Sequence, residues 1–340
     1  MSAFAIPVDL STPTGGYVYD RRLIDASGGE LTHLQLPGDW PHASDTDRAA
    51  AVEALKDIGP TIIDGLAYGA FTPEMIASLP TKPVVLCHHP LGKETGLDAY
   101  ESAIAIKQEA AVLSLAAHII VTSPETKRTL ISELGQDEAR ITVAPPGLDY
   151  VEAPARLDKS IPEILTVASL TPRKGHEELV VTLARLKHLN WTARWIGPVD
   201  RDETHFEVVK TAIIETELTS RIRIEGALSG EALEKAYTEA DIFCLPSRYE
   251  GYGMVFAEAM MRALPIVACD AGAVAELVPP RAGILTPVND PDAMAEALEE
   301  LLEDAPFRDM MGDAGRKHAL TIPGWDETWA KVRAALEAKS

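Results

Sequence analysis

Cysteine is scarce, basic residues are outnumbered, and no long apolar run is present. Cys87, Cys244 and Cys269 lie far apart without a C-x-x-C pair, and at least two fall in predicted buried strands, which fits a reducing, cytoplasmic setting. Against 52 Asp and Glu stand only 31 Lys and Arg, a net charge of -21. The deficit is even: 12 basic and 22 acidic residues precede position 160, and 19 and 30 follow it. Neither half offers the extended basic field that nucleic acid or anionic lipid requires, although local basic clusters remain available for phosphate. The start, MSAFAIPVDL, has no charged segment ahead of a long apolar core, its first basic residue being Arg21, so no signal peptide is expected. Residues 110–121, the longest apolar run, are interrupted by Ser114 and His118 and are too short to cross a bilayer. Two nucleotide-binding signatures are also missing. No strand leads into G-x-G-x-x-G, since GYGMVF ends in phenylalanine, and no G-x4-G-K-[ST] occurs, which argues against a nicotinamide oxidoreductase and a P-loop phosphotransferase.

What is present is a soluble globular composition, 46% hydrophobic and 24% charged, over 340 residues. That length suits two domains of about 150 residues each. From Val84 onward short apolar runs alternate with helical patterns: VVLCHH (84–89), HIIVTS (118–123), EILTVASL (163–170), TARWIG (192–197), RIRIEG (221–226), DIFCLP (241–246), ALPIVACD (263–270) and AGILTP (282–287). Such alternation implies parallel sheets covered by helices on both faces, and this many strands need two sheets. The proline- and charge-rich stretch 145–162 lacks apolar periodicity and reads as the linker. The expected domains are therefore 1–155 and 156–322, two doubly wound Rossmann-like α/β domains facing across a cleft. A last helix, 323–340, is expected to present Trp325, Trp329, Val332 and Leu336 on one face and to pack back on the first domain.

The stretch SRYEGYGMVFAEAMM (247–261) lies between two predicted strands and reads as glycine loop followed by helix. Its loop opens at the carboxyl edge of the sheet, where open α/β folds bind ligands. The backbone N–H groups of Tyr252, Gly253 and Met254 are expected to be unpaired there and suited to phosphate, with Gly251 and Gly253 permitting close approach. Glu250 at the strand end suits hydroxyl donors, and Glu258 inside the helix suits a vicinal diol such as a ribose. The alternative is a solvated Glu258 and a Glu250 that merely complements the helix dipole. In SLTPRKGHEEL (169–179), Arg173 and Lys174 place two cations at the same edge, suited to a diphosphate leaving group; read alone, the triplet RKG is a solvated turn. Asp45 and Asp47 form a D-x-D in a segment where Ser44 or Asp45 is an evident helix N-cap, so capping is expected and no metal site. His88 and His89 end a strand, and adjacent strand residues point to opposite faces, which disfavours joint chelation of one ion. Tyr249 and Tyr252 either line the site or pack beside it.

The spacing of Glu250 and Glu258 (E-x7-E), the RKG turn after the first strand of the second domain, the EGAL turn after Ile224 and PIVACDAGAVAEL together resemble the retaining glycosyltransferases of family 4, with the GT-B fold. The likeness runs in order through most of residues 163–300; in the first domain TPTGGYVYDRRL (12–23) and VVLCHHPLGKETG (84–96) are similar more weakly to the family's glycine-rich loop and histidine-bearing strand end. The resemblance implies that Glu250 contacts donor hexose hydroxyls, Glu258 the ribose and Lys174 the diphosphate. It places His88, or else His89, beside the donor sugar. Gly15 and Gly16 let the backbone approach phosphates or acceptor, and Gly197 and the turn from Ile224 to Gly226 border the nucleotide. One departure stands out: many members carry an arginine about five residues before the lysine, where this chain has Ser169, and Arg173 is expected to compensate. The implied reaction is hexosyl transfer with retention by front-face attack, the diphosphate taking the acceptor's proton, with Arg173, Lys174 and the 252–254 amides stabilising the leaving group and neither metal nor cofactor required. A nucleotide-sugar sensor without turnover, or an epimerase or hydrolase, would share the donor residues. The acceptor, a carbohydrate, glycoside or lipid, would be set by first-domain loops at 11–20, 36–47 and 90–98. The acidic first half, with Arg21–Arg22 and Lys127–Arg128 as its only adjacent basic pairs, does not favour peripheral membrane contact.

Overall fold

A computed structural model of the chain describes residues 2–7, 10, 14–59, 61–94, 97–152 and 159–338. They form two compact units, residues 1–147 with 323–340 and residues 148–322, each built on a six-stranded sheet. The fold is α/β throughout, and no helix among the described residues is long and apolar enough to cross a membrane.

In the first unit the strands are β1 (Ser2–Ile6), β2 (Leu31–Gln35), β3 (Thr61–Asp64), β4 (Val84–Cys87), β5 (His118–Val121) and β6 (Ile141–Val143). They pair in parallel in the order β2-β1-β3-β4-β5-β6. The chain steps from β1 to β2 on one side and then crosses to β3 on the other, so the order reverses between β1 and β3, and ligand sites of open sheets form beyond the carboxyl ends of such neighbours. The strands β3, β4 and β5 are buried along their whole length, as parallel strands covered on both faces must be.

The glycine-rich segment differs from its reading as a loop. Gly15 and Gly16 open the helix Gly15–Ala26, capped by the Thr14 hydroxyl, which accepts from the Tyr17 N–H. Thr14 competes successfully for one of the free N–H groups of the first turn, and the helix runs on from there. Residues 11–13 of that loop, 95 and 96 of the 90–98 loop and 153–158 of the seam lie outside the described residues.

The second unit comprises β7 (Glu163–Val167), β8 (Thr192–Ile196), β9 (Ile222–Ile224), β10 (Ile242–Leu245), β11 (Ile266–Cys269) and β12 (Gly283–Thr286), paired in parallel in the order β12-β11-β10-β7-β8-β9. Its strands feed two cores through the two-residue alternation of strand side chains. Ile164, Ile242, Cys244 and Val267 point to one, and Leu165, Phe243, Leu245 and Ile266 to the other. All three cysteines are free, buried thiols.

The unit boundary falls at 147/148 rather than at 155, because Leu148 and Val151 already pack on the second unit's core and Arg316 donates to the Val151 carbonyl at 2.8 Å. The last helix, Trp325–Glu337, belongs to the first unit and buries Trp325, Trp329, Val332 and Leu336. Trp325 meets the Tyr19 ring edge-on at 5.5 Å between centroids, and Thr328 donates to the Pro145 carbonyl at 2.7 Å. Gly147 is obligatory at this junction, since a Cβ there would lie 2.3 Å from the Trp325 backbone nitrogen. Removing the indole leaves a cavity beside Tyr19, so Trp325→Ala is expected to destabilise the protein by about 3 kcal/mol. Denaturant unfolding checks this, and an unchanged midpoint would detach the helix from the unit's stability.

Candidate active site

In the second sheet β7 and β10 are neighbours although β8 and β9 separate them in sequence, so the order reverses between them. The segments leaving their carboxyl ends are bound to each other. After β7 come residues 168–171, a 3-10 turn Pro172–Lys174, Gly175 and the helix His176–Arg185; after β10 come residues 246–253 and the helix Met254–Met261. The Arg248 N–H donates to the Arg173 carbonyl at 2.8 Å. Gly175 has φ +71°, and a Cβ there would sit 2.2 Å from the Pro246 carbonyl oxygen, so glycine is demanded both by conformation and by space.

Glu250, 6% exposed, lies within this junction. Its Oε1 accepts from Lys174 Nζ at 2.6 Å, and Arg173 Nη1 stands 3.7 Å from Oε2 while donating to the Tyr249 carbonyl at 3.0 Å. Burial alone would raise the Glu250 carboxyl; the charges of Lys174 and Arg173 outweigh it and hold the group below its ordinary range, hence ionised. The Glu250 backbone is fixed too, its carbonyl accepting from the Ala273 N–H at 2.9 Å, where Gly272 (φ +61°) leaves no Cβ to intrude. One carboxylate between two cations leaves a local excess of one positive charge. Arg173 thus faces the same point as Lys174, while Ser169, in the segment after β7, contributes no charge.

Gly253, with φ +94°, stands at the N-terminus of the helix Met254–Met261. Among the described residues the N–H groups of Tyr252, Gly253 and Met254 donate to no backbone or side-chain acceptor. These are the free donors of a helix start, at the end of the dipole that favours anions. Tyr252 packs half-buried on the core beneath, its hydroxyl pushed up to about 12 by burial. Glu258, one turn into the helix, accepts from the Tyr237 hydroxyl at 2.9 Å through Oε2. Burial raises its carboxyl above the ordinary range, against the Tyr237 hydrogen bond and the nearby Arg262 charge. Glu258 is therefore half-buried, with one carboxylate oxygen held by Tyr237.

Gly197 and Ile224 line the same edge further along. A Cβ at Gly197 would meet the Ala168 carbonyl oxygen at 1.9 Å, and its N–H donates to the Gly226 carbonyl at 2.8 Å, so this glycine serves backbone packing next to Ser169. Ile224 ends β9, partly buried against the core. His176 is wholly buried against Trp195, both ring nitrogens unbonded among the described residues, and burial first, then His205 and Lys174, drives its imidazole down to about 3, hence neutral.

In the first unit the two adjacent histidines part. His89 meets Glu94, Nε2 to Oε2 at 3.0 Å, whereas His88 Nε2 meets Asp20 Oδ1 at 3.0 Å and stands 3.6 Å from Asp64 Oδ2. Asp20 and Asp64 are both buried, and Asp64 Oδ1 also caps the following turn by accepting from the Leu66 N–H at 2.9 Å. Where Asp20 is ionised, Nε2 carries the proton of this contact. Gly16 belongs to this cluster: a Cβ there would lie 3.2 Å from His88 Cδ2. A Cβ at Gly15 would meet no atom of the described residues within 4 Å. Burial pushes Asp64 up to about 7 and raises Asp20 as well. For His88 burial works downward, and the charges of Asp20 and Asp64 with the Asp20 hydrogen bond reverse it to a net rise. The set Asp20, Asp64 and His88 could also hold a metal ion by geometry alone, its candidate ligand atoms all lying within 4.8 Å of one another. Sequence reasoning missed both acids. Their signals were an acid closing the apolar run TIID and an acid on the buried face of the helix that also buries Tyr17 and Leu23. Asp45 and Asp47 do open a helix: the Ser44 hydroxyl caps it, accepting from the Asp47 N–H at 3.1 Å.

Two doubly wound units, the second carrying a cation–carboxylate junction and free helix-start amides at its switch point, define the GT-B class of glycosyltransferase fold. The chain belongs to glycosyltransferase family 4: the model "Glycosyltransferase Family 4" matches residues 8–151, and "Glycosyl transferases group 1" matches residues 152–318. Among its relatives is the MMP alpha-(1->4)-mannosyltransferase of Mycolicibacterium hassiacum, 28% identical over 231 residues, a match covering 64% of this chain and 53% of the relative. The chain thus spans about half the length of that protein. Among solved structures it superposes on sucrose-phosphate synthase from Thermosynechococcus elongatus with a TM-score of 0.84 at 20% identity, all of both chains being covered. Anabaena HepE in complex with UDP-glucose gives 0.81 at 16%, covering 99% of this chain and 100% of that one.

The first-unit cluster sets a pH dependence. Asp64 titrates near 7 in the folded state against 3.8 ordinarily, so the folded form holds the extra proton between those values. Its contribution to stability is full below about pH 4 and is lost as pH rises through 7, and His88, raised from 6.5, acts in the same direction, its contribution being lost as pH rises beyond 6.5. Stability in denaturant is expected to fall from pH 5 to pH 8, and Asp64→Asn to flatten that slope. Equal slopes for the two proteins would remove Asp64 from the account.

Proposed function

We propose that the chain transfers a hexosyl group from a nucleoside-diphosphate sugar to an acceptor hydroxyl, with retention of anomeric configuration and without a metal ion. The observation that carries this reading is the junction at the second switch point, where Lys174 and Arg173 meet Glu250, which precedes the free amides of residues 252–254 in the same loop. Cations and fixed N–H dipoles aimed at one place favour the charge that develops on a departing diphosphate. Lys174 and Arg173 supply it as side-chain charge, and the amides supply it without reorganisation.

Glu250 has a double role in this reading. It is an ionised acceptor, so it suits the hydroxyls of the transferred hexose; it also holds Lys174 in place until the diphosphate arrives. Glu258 takes the ribose diol. His88, with its Nε2 engaged by Asp20, contacts the donor sugar through the remaining edge of its ring. The acceptor hydroxyl attacks from the face the diphosphate leaves, and a diphosphate oxygen takes its proton. The acceptor class is a carbohydrate, glycoside or lipid hydroxyl, read by the first unit.

The names of similar proteins agree in kind: one is a mannosyltransferase, and HepE was solved with UDP-glucose.

The test is incubation of the purified chain with UDP-, GDP- and ADP-hexoses, with and without EDTA, following free nucleotide and the sugar's anomeric form by NMR. One donor is expected to be consumed, unaffected by EDTA, with an α-linked donor yielding the α-anomer first. Lys174→Ala is expected to lower turnover about 10²- to 10³-fold. Glu250→Gln removes an acceptor and a counter-charge together, so turnover should fall by about 10²-fold or more while free nucleoside diphosphate binds as tightly or tighter. Binding of a nucleotide sugar without turnover under any acceptor would make the chain a binding protein and overturn the transferase reading.

A further inference from the structure

Glu258 does not stand alone in its helix. Tyr237, in the helix Gly230–Glu239, is 1% exposed, and its ring lies nearly parallel to Phe243 at 6.1 Å, with the Arg262 guanidinium 4.8 Å from its centre on a face. Arg262 is itself fixed. Its Nε meets both carboxylate oxygens of Glu234, at 3.1 and 3.0 Å, and its Nη1 donates to the Glu258 carbonyl at 2.8 Å. The phenol therefore has little freedom, and its single polar atom is directed to Glu258 Oε2 at 2.9 Å. Among the described residues Oε1 has no such partner.

A glutamate reaching from a helix has three side-chain torsions, and freezing them opposes any ligand that needs the carboxylate in one orientation. A hydrogen bond from a rigid, buried donor removes that cost before the ligand arrives. We propose that Tyr237 is a positioning residue for the nucleotide's ribose, its hydroxyl holding Glu258 Oε2 so that the carboxylate is presented ready-oriented to the vicinal diol. The phenol does not touch the ligand. Its work is to fix the acceptor, and its consequence is specificity for ribose over deoxyribose. The inference rests on the reading of Glu258 as the ribose ligand.

The experiment compares dissociation constants of the best-bound nucleoside diphosphate among UDP, GDP and ADP with those of its 2′-deoxy analogue, by calorimetry. Proteins compared are the parent chain, Tyr237→Phe, Glu258→Gln and the double variant. Because the readout is a ratio of two constants on one sample, a reduced folded fraction cancels. The parent is expected to prefer the ribonucleotide by about ten-fold, the scale of one oriented hydrogen bond to a charged group. Tyr237→Phe should shrink that preference by about three-fold or more, and the same change made in the Glu258→Gln background should alter it less than about two-fold, since contacting residues do not act additively. A parent that prefers the ribonucleotide and a Tyr237→Phe protein that keeps the whole preference would overturn the role of Tyr237 while leaving the donor site intact. A parent without preference would overturn the inference through Glu258, and a parent that binds none of the three nucleotides would remove the donor-site reading and this inference with it.

Discussion

A carboxylate taken almost out of water must be compensated where it stands, and in this chain that requirement ties together the two segments on which the second unit's site is built. Glu250 leaves β10 and Lys174 leaves β7, and their contact at 2.6 Å forms only because those strands are neighbours across the reversal of strand order. An ion pair in such surroundings is a weak source of net stability, since the desolvation of both groups offsets most of their attraction. Its value is positional. With Gly175 against the Pro246 carbonyl and Arg248 bound to the Arg173 carbonyl, the two segments have one mutual arrangement, and the cations are held where an anion can take them over.

The first unit answers the same constraint in the opposite sense. There two buried acids converge on one imidazole, so the surplus is negative and protons rather than lysines must supply the balance. Asp20, Asp64 and His88 are all raised, so the cluster holds its protons more tightly than the free groups would. The two units thus meet the problem of buried charge in different ways.

Periodicity made most of the fold legible. The apolar runs from Val84 onward coincide with β4, β5 and β7 to β12; those buried on both faces, such as VVLC and IFCL, are unbroken in apolar residues. The first 83 residues were harder: β2, with LTHLQ, is largely exposed and so carries no such run. In the site, Glu250, Glu258, Lys174 and the 252–254 amides could be found because each follows a strand at a fixed distance and needs only local geometry. Asp20 and Tyr237 could not. Their meaning depends on partners 68 and 21 positions away, and a single polar residue on an apolar helix face does not say which element will lie against it. Ser169 illustrates the remaining ambiguity, for whether Arg173 turned toward the site was a question of side-chain direction that spacing alone does not encode.

A net charge of -21 is an unfavourable long-range field for a diphosphate, and a site of the proposed kind would have to work against it. The repulsion decays over about 8 Å at physiological ionic strength, so beyond the first shells it is screened and within them local charges decide. Locally the balance at the second switch point is one carboxylate against two cations, joined by N–H dipoles that no counter-ion can neutralise. Burying the compensating acid rather than omitting it has a further effect. On the proposed reading an incoming diphosphate would meet not two bare cations, which bind any anion, but a pair already engaged, and so would have to offer contacts to Glu250 as well as to Lys174. A free phosphate cannot do this, whereas a sugar whose hydroxyls donate to the carboxylate as its diphosphate accepts from the lysine satisfies both partners at once. On the proposed reading, selectivity for a sugar diphosphate over the simple anion would follow from the same buried acid that organises the loops.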